Sequence, residues 1–407
     1  MKKSIDAGML SQVNNQLIEQ GTFSLLELLM SSGRLTYTDY ERWRLGTLEF
    51  LDDALLGSPK RIGAQLEAAI ACAESIGLLA KTQEFTGWQG QRQDTKLKLS
   101  ADPISHKRLS LHFVSKQNTP QLDMFFNNPV VVMVNDVVDA LLRRSLADVQ
   151  PCLDLLYQQA PNHAELAVFD QLFDALQQSA QPVTDPLAEL QALQQLSPHA
   201  KRLLGAQCRD YLVPLWRRLS LALERTSFSP TAPNLHNSYT LAQAQDWPAV
   251  SQAILNESQW WTHEILCLRL AECGYRRKVR SEALLAWHHL CWQASEKVPE
   301  WLNSGKWVDS DITNLWQQYC QLEDQLDLEE PLPLEDFPAW LLLKEPGLCH
   351  VFAEDSPRVE IPATRLFRTC HQLVLAQQAG DTTTEFEKRK DLQVEQPILL
   401  SFLKSRL

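Results

Sequence analysis

The sequence has no Cys-x-x-Cys pair, no His-Glu-x-x-His, no Gly-x-Ser-x-Gly elbow and no glycine-rich loop between a strand and a helix. Each absence removes a chemistry: a paired-thiol zinc or redox site, a metallopeptidase helix, a serine nucleophile on a strained turn, and a phosphate cradle at a helix N-terminus. No apolar run approaches the roughly 20 residues that span a bilayer. Positive charge is also short. The net charge of −12 argues against whole-molecule binding to nucleic acid or anionic lipid. Nine cysteines, an odd number without paired spacing, do not form a disulfide framework, and a reducing, cytoplasmic setting is expected. The first residues, Met-Lys-Lys-Ser, begin like a secretory leader, but Asp6, Gln12, Asn14 and Asn15 interrupt it before an apolar segment develops.

Glycine is scarce at 14 residues and tryptophan abundant at 12, a balance that favours packed helices over a turn-rich β protein. Apolar residues recur at helical spacing along most of the chain. In the first 80 residues, Phe23–Met30 is a short apolar helix stopped at Gly33, and Thr38–Leu45 starts another with Thr36 or Thr38 as its cap. The two imitate a helix-turn-helix, yet Asp39, Glu41 and Glu49 offset Arg34, Arg42 and Arg44, so packing rather than DNA reading is expected. Ile62, Leu66, Ala69, Cys72 and Ala73 mark a third helix. Later stripes are Val130, Val134, Val137 and Leu141; Val149, Leu153 and Leu156; and Leu166, Phe169, Phe173 and Leu176, the last opened by an Asn162-x-x-Glu165 capping box. Helices are expected at 186–196 and 198–224, divided at Pro198, and again at 310–326, 362–378 and 397–407.

Between Ser238 and Trp301 the helical patterns run back to back. Leu266, Leu270 and Cys273 form one stripe and Ala283, Trp287, Leu290 and Ala294 the next, with Ser281 as the expected cap between them. Residues 264–297 resemble a tetratricopeptide unit, with Ala271, Ala283, Trp287 and Leu290 at that family's small and aromatic positions. Gly274 departs from it where an aromatic is usual, and Ser295 where a proline is. Val149, Leu153, Leu156 and Pro161 match the second helix and closing proline of the same family. The resemblance implies an all-α, solenoid-like stack of helical hairpins that binds another protein without a cofactor. Such stacks present extended grooves lacking reactive groups.

Residues 81–128 differ in character. Prolines, glycines and a mild surplus of lysine and arginine mark a polar connection with little helical period. Near its end lies Gln121-Leu122-Asp123-Met124-Phe125. This pentapeptide resembles the motif by which bacterial replication and repair proteins dock on the sliding clamp. That resemblance implies an accessory factor of DNA replication or repair, with Gln121 offering hydrogen bonds and Met124 and Phe125 acting as apolar anchors. The same residues also suit burial against the first helical block.

Two further clusters carry chemistry. His263 and Cys267 are four residues apart with Cys273 nearby, a set zinc accepts, which would make the chain a metal-dependent helical protein; buried thiols in a core are the plainer expectation. Arg276, Arg277, Lys278 and Arg280 form a basic turn that could meet an acidic partner segment. The expected organisation is a helical block (1–80), the polar connection (81–128), hairpins (129–226), a Ser/Pro-rich linker (227–238), Trp-rich hairpins (239–330), and an acidic connection with capping helices (331–407).

Overall fold

Short apolar stripes at helical spacing dictate most of the architecture, and the computed structural model is all-α apart from one small sheet. It describes residues 7–88, 95–114, 129–303, 309–322, 332–352 and 360–405. The chain divides into two units, Met1–Asp246 and Trp247–Leu407.

In the first unit, α1 (Ala7–Gln20) leads through Gly21 into β1 (Thr22–Ser24), and α2 (Leu25–Ser31) follows. Next come α3 (Tyr37–Arg44), whose cap Thr36 accepts from the Asp39 amide, and α4 (Pro59–Ser75). The stripe Ile62, Leu66, Ala69, Cys72 and Ala73 is the buried face of α4. The described part of residues 79–114 includes regular elements. These are β2 (Leu79–Thr82), which runs into the polar connection, and within it α5 (Pro103–Leu109), capped by Asp102, and β3 (Leu111–Val114). The antiparallel sheet has the order β1-β3-β2, and Phe23 faces Phe113 across it, both rings inaccessible and their centroids 5.8 Å apart. Strands of three or four residues, paired across long sequence separations, leave no period to read.

The helical array continues with α6 (Pro129–Leu142), α7 (Leu146–Gln159), α8 (Leu166–Gln178), α9 (Pro186–Leu204), α10 (Cys208–Ala222) and α11 (Asn237–Gln243). Their inner stripes are those read from the sequence: Val149, Leu153 and Leu156 on α7, and Leu166, Phe169, Phe173 and Leu176 on α8. Two boundaries differ. Pro198 sits inside α9, which ends instead at Gly205, where φ +58 and ψ −137 are accessible only to glycine. The Asn162–Glu165 box is not formed: Glu165 is itself the N-cap of α8, and its carboxylate pairs with Arg202. Residues 227–238 lie within this unit, with Phe228 edge-on to the buried His236 ring.

The second unit contains α12 (Trp247–Leu255), α13 (Glu264–Arg277), α14 (Arg280–Ala294), α15 (Val298–Asn303), α16 (Ser310–Cys320), α17 (Phe337–Lys344), α18 (Pro362–Ala379), α19 (Thr382–Glu395) and α20 (Pro397–Ser405). α14 is its centre. From Ala283 to Ala294 nearly every side chain is buried, His288 and His289 included, so it is apolar all round rather than amphipathic. α13 packs on α14 after a turn in which Lys278 adopts φ +60. The cap expected at Ser281 is absent, because the helix begins at Arg280 after Val279 and has no side-chain cap. At the C-terminus Leu399, Leu400 and Leu403 are buried, and the Phe402 ring lies 6.0 Å from Trp340.

Candidate functional site

Several buried charges of the first unit meet around Asp210. On α3, Tyr40 and Arg44 are one helical turn apart and both buried. The Tyr40 hydroxyl donates to Asp210 Oδ2 at 2.9 Å, and Arg44 Nη1 donates to the same oxygen at 3.3 Å and to the Tyr40 oxygen at 2.6 Å. Asp210 is on α10 and only 1% exposed. Burial, and next the charge of Asp210, push the Tyr37 and Tyr40 hydroxyls well up, so both remain neutral. Arg144, in the turn after α6, adopts φ 56, a strained conformation for an arginine. Its guanidinium donates to the Asp210 carbonyl and lies 4.5 Å from the Trp88 ring centroid, the same distance as that of Arg44.

Two further ion pairs run parallel to this node. Arg209 on α10 holds Glu27 of α2 in a bidentate pair at 2.7 Å, and Arg217, also on α10, holds Glu41 of α3 at 2.7 Å. A planar fork meeting a carboxylate fixes orientation as well as distance. The N-terminal block is thereby keyed to α10 at three successive points. The signal missed in the sequence was Arg209-Asp210 set within the apolar stripe of α10: solvated charges would avoid a stripe whose neighbours Tyr211 and Leu215 are about 1% exposed.

Catalysis gains little from this arrangement. Beside it is a cavity of about 20 Å³, lined by Ser24, Glu27, Tyr40, Gln83, Arg209 and Asp210 among others. That is room for one water, far below the several hundred Å³ of a substrate site. The tyrosines stay protonated and the carboxylates are engaged by arginines. What the node does is hold two layers of helices in one register.

The array held in this way presents an apolar outer stripe. On α7, Ala147, Pro151 and Leu155 are exposed at successive turns, opposite the buried Val149, Leu153 and Leu156. Leu155 is 43% accessible and Tyr157 41%, and the Tyr157 hydroxyl is anchored to Asp170 of α8. Val131 and Val132 are exposed on the first turn of α6.

The other residues singled out from the sequence have varied fates. Gln121, Leu122, Asp123, Met124 and Phe125 lie outside the described residues. The basic turn is internally paired. Arg276 meets Glu272 at 3.2 Å and Arg277 meets Glu282 at 2.7 Å; Arg280 reaches Asp311 at 2.5 Å and Glu345 at 2.7 Å. Lys278 lies 4.3 Å from the Tyr275 ring centroid. These guanidiniums tie α13, α14, α16 and α17 together.

His263, Cys267 and Cys273 do not assemble. His263 opens α13, Cys267 Sγ lies 3.7 Å from the Trp261 carbonyl, and Cys273 Sγ lies 2.9 Å from that of Trp247. Burial pushes both thiols up to about 12, away from the thiolate a metal requires. No group of three His, Cys, Asp or Glu side chains able to hold a metal occurs among the described residues. Nor is any described helix long and apolar enough to cross a membrane. No protein-family model, curated protein or solved structure matches the chain.

Proposed function

We propose that the chain is a non-catalytic adaptor of the bacterial cytosol, whose tetratricopeptide-like helical hairpins bind another protein. The observation that carries this reading is the exposed stripe Ala147, Pro151 and Leu155 on α7, a helix whose opposite face is fully packed. Exposed apolar side chains at successive turns of a helix offer a partner surface whose burial removes apolar area from water. All nine cysteines are free thiols, which suits a reducing compartment. Leu155→Glu is expected to weaken partner retention by about 2 kcal/mol, roughly 30-fold, because it buries a charge at the interface. Its stability should change by no more than about 0.5 kcal/mol, since the site is exposed. Quantitative affinity capture, paired with chemical unfolding of the same variant, checks both figures; unchanged capture would remove this stripe from the account.

A second reading rests on Gln121–Phe125, between β3 and α6. In it the adaptor serves DNA replication or repair by docking on the sliding clamp. Size-exclusion chromatography with purified clamp tests it. Co-elution by the wild type and its loss in Phe125→Ala is the expected result, a drop of at least tenfold for an anchor worth about 2 kcal/mol. Equal elution of both chains sets the reading aside.

A further inference from the structure

The least comfortable group in the second unit is His288. It is completely inaccessible, and neither ring nitrogen has a hydrogen-bond partner among the described residues. Its surroundings are aromatic: the imidazole centroid is 4.8 Å from that of Phe352, and 5.8 Å from those of both Trp292 and Phe367. Phe352 ends a short segment, residues 346–352, that lies against α18. Gln378 donates to the Pro346 carbonyl at 3.1 Å, and His371 Nε2 bonds the carbonyls of Cys349 at 3.0 Å and Phe352 at 2.7 Å. One histidine therefore fastens the segment's backbone, while the other packs against the ring at its end.

We infer that residues 346–352 form an acid-released strap over the aromatic core of the second unit, with His288 as its sensor. While the strap is closed the imidazole is inaccessible to solvent and has no acceptor among the described residues, so it is held neutral. A proton taken from solvent finds no place until the strap lifts and water reaches the ring. Lifting the strap uncovers Phe352, Phe367 and Trp292 together, changing a sealed core into an aromatic face.

The environment agrees with this geometry. Burial first, and His289 second, push His288 down to about 3, against about 6.5 for an exposed imidazole. The sign follows directly: the open state binds the proton better, so closure is undisturbed above pH 6.5 and is lost progressively below it. Between pH 7 and pH 5 the opening constant should rise roughly 20- to 30-fold.

Other titratable groups on the elements packed here are His289 on α14, Cys349 and the exposed His350 on the strap, and Cys370, His371, Arg365 and Arg368 on α18, the last paired with Glu360. Glu335 and Asp336, before α17, bear on Cys291 and Cys370. Asp336 works against His288. Burial raises its carboxyl to about 6, so protonation favours the closed unit as pH falls from 6 towards 3.8. That contribution is common to wild type and to variants at position 288, and it cancels in their comparison.

Hydrogen exchange of the intact chain at pH 7 and pH 5, corrected for the intrinsic pH dependence of exchange, provides the test. In wild type the protection of residues 346–352 should fall roughly 20- to 30-fold, while in His288→Phe or His288→Leu it should stay within about twofold. Equal losses in wild type and variant, or undiminished protection in wild type at pH 5, would overturn the inference. Should neither variant fold, a ¹³C titration of His288 in wild type decides: an imidazole that is protonated near pH 6.5 beneath a protected strap refutes it, and one that gains its proton only as protection falls supports it.

Discussion

Asp210→Ala is expected to destabilise the first unit by about 3–5 kcal/mol, the range for removing one member of a buried ion pair. The loss is large because of what remains. Arg44 would be left about 4% exposed, with Tyr40 as its side-chain partner and no carboxylate. The Tyr40 hydroxyl would lose its acceptor. Arg144, already at φ 56, would still bond the backbone carbonyl of residue 210, so the turn after α6 should survive while α3 loosens from α10. The paired substitution Arg44→Met with Asp210→Leu removes both charges and should cost less than Asp210→Ala alone, because apolar groups of similar size often replace a buried ion pair at no loss. Native-state hydrogen exchange of α3 and α10 in the full chain measures this without requiring the two units to unfold together. A loss below about 1 kcal/mol for Asp210→Ala would mean that water reaches the node and that it does not lock the layers.

The second large effect concerns a glycine whose sign is opposite to that of its neighbours in type. Gly274→Ala in mid-helix would ordinarily add about 1 kcal/mol of helix propensity. Here the new methyl would stand 2.5 Å from the backbone nitrogen of Ala283 and 2.9 Å from its Cα, across the contact between α13 and α14. Backbone atoms have no rotamer by which to withdraw, so the helices must separate along a seam that includes Leu270, Cys273 and Trp287, all buried. A net loss of about 2 kcal/mol is expected. Gly63→Ala in α4 is the matched control. Its methyl meets only the flexible end of Arg108, at 3.8 Å, and that substitution should stabilise by about 0.5–1 kcal/mol. Urea unfolding of both variants checks the contrast, and a Gly274→Ala chain stabilised like Gly63→Ala would contradict the close approach.

The same glycine shows how far the sequence could be read. Its departure from the tetratricopeptide pattern looked like a defect of the repeat, and it is a point where the backbones of α13 and α14 approach too closely to admit a side chain. Local periodicity was legible: the five positions of α4 and the inner stripes of α7 and α8 are set by neighbours within one or two turns. The sheet was not, since Phe23 and Phe113 face each other from short strands far apart in the sequence. Pro198 and Ser281 were misread because a breaker and a cap are preferences that tertiary packing overrides, whereas Gly205 ends α9 by a conformation no other residue adopts cheaply.

The candidate site follows the same division. The outer stripe of α7 has the period of its inner stripe and could be found by counting. The node on Asp210 could not be assembled by counting, because Arg44 and Arg144 come from stretches distant from Asp210, and only the charged Arg209-Asp210 step within an apolar stripe hinted at it. In the basic turn the sequence showed the cations but not their partners: Arg276, Arg277 and Arg280 pair with Glu272, Glu282, Asp311 and Glu345, the last two from distant stretches of the same chain.

The adaptor reading meets its most direct test in cells, with a photoactivatable benzophenone residue placed at position 155 and, as the control, at Gln177 on α8, an exposed polar site. A discrete cross-linked partner is expected from position 155 and none of the same mass from position 177. Identical adducts from both positions, or none from 155 at full expression of a folded chain, would contradict it.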